Sequence, residues 1–217
     1  MTMEPIGLPR TGRRARALAG LLVEGGLVSA ARAPARPTGA EHSDELQVMW
    51  RQLGGLLETP SLRPGPWDLV FEDRLVVELD EELHFNRYRA LTLGTSWSAH
   101  LPWRDDYRRY CEHHESECLA AGMWGKRWSN PSCARMFQGS QPGDLAGHGA
   151  PRWKQRALYD SVKDIAPTLG IRLARVSIYD TLDGIQLGAL LDGGAHAAPS
   201  TVAEFVLRRV AQPVAGR

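Results

Sequence analysis

From Ser43 onward apolar positions recur with a helical period: Leu46, Met49, Trp50, Leu53, Leu56 and Leu57 fall on one face. Ser43 suits an N-cap, and Asp44 and Glu45 suit a first turn, where the helix dipole favours negative charge. The spacing predicts a helix beginning near Ser43. Thr59–Pro66 (TPSLRPGP) then reads as a loop. Two short runs of β-formers follow, Trp67–Phe71 and Leu75–Asp80, with Glu72-Asp73-Arg74 as the turn between them. The second run is almost continuously apolar, the pattern of a strand buried on both faces in a mixed sheet. Pro151 opens another helix, RWKQRALYDSVKDIAP, with Trp153, Ala157, Tyr159, Val162 and Ile165 as its inner face. Gly170 ends it, Ile171–Tyr179 reads as a strand, and Val202–Ala211 as a final helix. Helix, strand, strand, insertion, helix, strand is an α/β (α+β) order, a mixed central sheet flanked by helices.

The 217 residues fit one domain with extensions or two small ones. Residues 1–42 read as a flexible basic arm carrying Arg10, Arg13, Arg14 and Arg16, followed by the Pro-punctuated linker Ala33–Gly39. Ala17–Val23 is apolar, but Glu24, Gly25 and Gly26 break the run, so a short amphipathic helix is expected and not a secretion signal. Residues 43–180 form the expected core, interrupted by a Trp/Cys/His-rich insertion at about 90–150, and residues 181–217 a tail with its helix. No apolar run reaches the roughly 18 residues of a membrane span, so no membrane association and a cytoplasmic location are expected.

Charge narrows the partners only a little. With 26 basic and 25 acidic residues the net charge is +1, which does not advertise a nucleic-acid binder but leaves room for a local arginine cluster. Arginine outnumbers lysine, as in a GC-rich coding sequence of bacterial kind. Three cysteines, an odd number, argue against a secreted disulfide scaffold.

The chemistry concentrates in WDLVFEDRLVVELDEELHFNRYR, Trp67–Arg89. A strand's period of two puts Glu78 and Asp80 on one face, and a tight turn brings Asp68 beside them. A charged Glu78 inside an apolar strand is expensive unless paired or metal-bound. Three adjacent carboxylates call for a positive partner, and a divalent cation is the simplest one. The plain alternative is a solvated acidic turn at Asp80-Glu81-Glu82.

These residues, Asp68, then Glu78-x-Asp80, then His84, together with the element order, resemble the PD-(D/E)XK nuclease superfamily. The likeness is nearest to very-short-patch-repair-type endonucleases and related nuclease-like families. It covers residues 43–90 with some specificity and 151–180 only as a helix and a strand. It implies a restriction-endonuclease-like fold and Mg²⁺- or Mn²⁺-dependent hydrolysis of DNA in repair or defence. Asp68, Glu78 and Asp80 would be metal ligands, aided by the Leu79 carbonyl. His84 would be general base, general acid or phosphate donor, and Glu45 the acidic residue of the preceding helix, with Asp44 as the alternative. Arg87, Arg89, Lys154 and Arg156 are the expected phosphate contacts. Two departures stand out. Asp80 occupies the usual lysine position, and Glu81 replaces a common glycine. The named subfamily tolerates the first, which removes the usual groove cation; the second adds negative charge and points to the alternative of a catalytically inactive nuclease-fold protein that binds nucleic acid or a protein partner.

The insertion offers separate chemistry. Cys111, His113, His114, Cys118 and Cys133 include enough ligands for a structural Zn²⁺, although no CxxC pair is present. The seven residues from Cys111 to Cys118 equally fit two turns of one helix over Asp105–Ala121, with both cysteines in its core face. Trp97, Trp103, Trp124 and Trp128 read as the core of a small lobe, or as a stacking surface with Lys126 and Arg127.

Overall fold

The computed structural model describes residues 12–60 and 62–212. The first eleven residues of the expected arm, Ser61 and residues 213–217 lie outside the described residues. The helices, in chain order, are α1 (Arg13–Glu24), α2 (Ser43–Gln52), α3 (Arg87–Thr92), α4 (Arg104–His113), α5 (Glu115–Gly122), α6 (Pro131–Ala134), α7 (Pro151–Lys163), α8 (Leu187–Leu191) and α9 (Pro199–Arg208). The strands are β1 (Leu69–Val70), β2 (Leu75–Asp80), β3 (Arg172–Ser177), β4 (Thr181–Leu182) and β5 (Ile185–Gln186). The fold is therefore mixed α and β. Among the described residues no helix is long and apolar enough to cross a membrane.

The chain divides into two compact units. The first takes the described residues up to Arg36, Pro66–Asp80 and the described residues from Pro167 onward. Its sheet has the order β1-β2-β3, with β1 antiparallel and β3 parallel to β2. Val76 and Val77 are fully buried, as the unbroken apolar run of β2 requires. The short amphipathic helix expected here is present as α1, but it packs on α9 and is not part of a flexible arm. Leu18 and Leu22 make its buried stripe, and Arg13 and Arg14 both pair with Asp192. The chain leaves α1 through Gly25, where a Cβ would stand 2.5 Å from the Pro199 carbonyl oxygen. At the other end of β3, Asp180 accepts bonds from the Ser177 N–H and from Arg209 at the end of α9.

The second unit, Pro37–Gly65 with Glu81–Ala166, is helical. The expected insertion is not a lobe with its own core. Trp97, Met136 and Phe137 pack in one cluster with Leu46, Met49 and Trp50 of α2 and Leu158 and Val162 of α7. Trp128 and Trp153 make a second cluster edge to face, centroids 5.3 Å apart. Trp124 alone of the four insertion tryptophans is exposed. Two periodicity readings are corrected here. The helix from Ser43 stops at Gln52 because Gly54 takes φ 78°, which turns the chain and leaves Leu56 and Leu57 exposed. The single helix over Asp105–Ala121 is two, broken at His114.

Candidate functional site

The β1–β2 hairpin places the acids. Asp73 and Arg74 both adopt left-handed backbone, φ 55° and 57°, the conformation of a two-residue turn usually given to Asn-Gly. The turn sets the register, Val70 opposite Val76 and Leu69 opposite Val77, so the next residues on the two chains are Asp68 and Glu78. β1 itself is shorter than the Trp67–Phe71 run suggested. Beyond it the side chains take over the ladder. The Asp68 N–H donates to Glu78 Oε1 at 3.1 Å, and the Leu79 N–H donates to Asp68 Oδ2 at 3.0 Å. Each acid thus clamps the backbone of the opposite strand.

Asp80 is held differently. In the register of β2 with β3, Arg175 lies opposite Glu78 and Ser177 opposite Asp80. The Arg175 guanidinium reaches along the strand, and its Nη1 donates to both Asp80 oxygens, at 3.0 and 2.8 Å. Both side chains are buried, 0% and 1% exposed. Such a pair survives burial only because attraction and hydrogen bonding offset desolvation. The positive partner that the acids demanded is, for Asp80, a guanidinium. Among the described residues, Asp68, Glu78 and Asp80 do not bring three ligand atoms within 4.8 Å of one another. Arg175 went unread in the sequence; the signal was one arginine at the centre of a buried strand, LARVS.

In the second unit His84 closes a 3-10 turn, Glu82–His84, and its Nδ1 stands 2.9 Å from Asp160 Oδ2 on α7. The histidine is 21% exposed and the aspartate 8%. An ionised Asp160 facing that nitrogen would favour the tautomer with its proton on Nδ1. Asp160 also escaped the sequence reading. It is buried, as are Lys154 and Lys163 of α7 and Asp164 at its C-cap.

The expected phosphate contacts are reassigned. Arg89 is a core residue, 1% exposed, paired with Asp164 at 2.8 Å. Arg87 is exposed but committed to Glu115 through Nε and Nη2, which holds the Glu115 carboxyl below its ordinary pKa and raises that of Arg87. Lys154 is buried, its ammonium over the rings of Tyr88 and Phe137, and desolvation lowers its pKa. Arg156 donates to the Leu83 carbonyl. Glu45 is likewise employed in structure, accepting from the Ser96 N–H and hydroxyl at 2.5 and 2.6 Å.

Cys133 Sγ closes the capping box of α6 with Asn130, Cys118 accepts from Asn86, and Cys111 lies buried in α4 while His113 is exposed. Among the described residues no three of these four residues present ligand atoms within 4.8 Å of one another.

With this geometry in hand, residues 48–193 match the model of a family of unknown function, DUF7255. The chain belongs to that family. No curated protein and no solved structure matches it. The matched span holds Asp68, Glu78, Asp80, His84, Asp160 and Arg175, and leaves out Glu45.

Proposed function

We propose that the protein is a nuclease-like hydrolase that cuts DNA phosphodiesters with Mg²⁺ or Mn²⁺ held by Asp68 and Glu78. The observation that carries the reading is the reciprocal clamp, in which each carboxylate is fixed by a backbone N–H of the opposite strand. An antiparallel hairpin carrying Asp and Glu-x-Asp, followed by a helix and a strand parallel to β2, supports a restriction-endonuclease-like core. Mg²⁺ fits the donor set. It is commonly bound through one or two carboxylates together with substrate phosphate, so Asp80 is not needed as a third ligand. One N–H bond does not exhaust a carboxylate's acceptor sites. When bound, the cation would polarise the scissile phosphate and acidify a water. The chain's own residues supply the rest. The clamp fixes the two carboxylates in place, and Arg175 balances the charge of Asp80.

The buried Asp80–Arg175 pair favours a second reading, a nuclease-fold protein that binds nucleic acid without cutting it. Incubation of supercoiled plasmid with the protein separates the two. Nicked circles in Mg²⁺ and none in chelator are expected; retention of DNA without nicking in either metal would leave the binding reading.

A further inference from the structure

The second unit contains an open cleft of about 740 Å³. Three arginines line it, Arg63, Arg135 and Arg152, and none of its lining residues is acidic. Arg63 and Arg135 are not buried, and among the described residues neither is paired with a carboxylate. The floor is prepared. Arg152, Gln155 and Tyr159 follow one face of α7 at i, i+3 and i+7. The Arg152 Nη1 donates to Gln155 Oε1 at 2.6 Å, and the Gln155 Nε2 donates to Ser132 Oγ at 3.2 Å. These bonds fix one guanidinium and orient the amide. Tyr159 is half-buried, and its hydroxyl meets Met136 Sδ at 3.6 Å.

Three cations converging on one space repel one another, and an anion between them relieves that repulsion. Guanidinium forks match phosphate oxygens, and a tyrosine ring with a methionine beside it suits a base face. We infer that this cleft is a nucleotide-binding site that takes a phosphate of a nucleic-acid strand on Arg63, Arg135 and Arg152 and seats a neighbouring base against Tyr159. It deepens the nucleic-acid reading above and rests on it for the identity of the strand. A free nucleotide has the same chemistry, and the test separates the two sources.

Binding of a fluorescein-labelled oligothymidylate of about 12 nucleotides is measured by anisotropy against salt, in EDTA, with thymidine monophosphate as competitor. Arg63→Ala/Arg135→Ala should weaken strand binding about tenfold or more and lower the salt slope by roughly 0.7 for each phosphate no longer neutralised. Arg135→Lys should recover part of the slope, and Tyr159→Leu should weaken binding with the slope unchanged. Neither arginine is buried, so an unaltered melting temperature serves as the folding control. Strand binding with competition only at high monophosphate assigns the cleft to nucleic acid. Tight competition by the monophosphate assigns it to a free nucleotide and overturns the strand. Equal affinity and slope in wild type and double variant overturn the site itself. Because EDTA removes metal, loss of plasmid nicking would leave this outcome unaffected, and the two readings fail separately.

Discussion

Arg175 stands opposite Glu78 in the sheet register and gives two hydrogen bonds to Asp80, one side-chain step further along the same face. The pair replaces, for one of the three acids, the metal ion that a cluster of carboxylates demands. The charge that balances Asp80 comes from the neighbouring strand.

Removing one partner leaves the other charged and buried. Arg175→Met should lower unfolding free energy by about 3–5 kcal/mol, read by urea denaturation. Asp80→Leu combined with Arg175→Met should recover most of that deficit. A double variant as unstable as the sum of the singles would show that the two residues are not coupled.

Lys154 separates a phosphate contact from a core residue. Lys154→Met should leave oligonucleotide affinity and its salt slope unchanged. Burial lowers the folded-state pKa of Lys154 beneath its ordinary 10.5, so the folded protein carries a charging penalty at neutral pH. Between the lowered folded value and 10.5 the unfolded chain binds more protons, and stability rises with pH across that window. Wild type should therefore gain stability relative to Lys154→Met on approaching pH 10.5. An unchanged difference across the window would refute burial of the ammonium.

The cysteines should behave as packing residues. Burial pushes the Cys118 thiol up to about 12, and all three cysteines are buried. A thiol reagent at neutral pH should label none in the native protein and all three in urea. Chelator should leave the melting temperature unchanged; a fall would restore a structural metal.

Legibility followed the kind of interaction. β2 was readable to its end residues because an unbroken apolar run has one stable environment, a strand covered on both faces. α7 was readable from Pro151 and its period. Asp68 and Glu78 came from strand alternation plus a turn, both local. What failed was long-range pairing. Arg89 finds Asp164, Glu45 finds Ser96, and Arg175 finds Asp80, across separations no local pattern encodes. For the same reason the arginines adjacent to the motif read as phosphate contacts, while Arg63, Arg135 and Arg152, scattered in sequence, meet in one cleft. Helix ends misled where a glycine turned the chain, as at Gly54.

The most direct test of the central claim is nicking of supercoiled plasmid in Mg²⁺ by wild type, Asp68→Ala and Glu78→Ala, with DNA affinity measured for each. The clamp's reading as a metal site predicts cleavage by wild type and a drop of about 10³-fold or more in both variants, with DNA still bound. Cleavage that survives both substitutions, or no cleavage by wild type in Mg²⁺ or Mn²⁺, would contradict it.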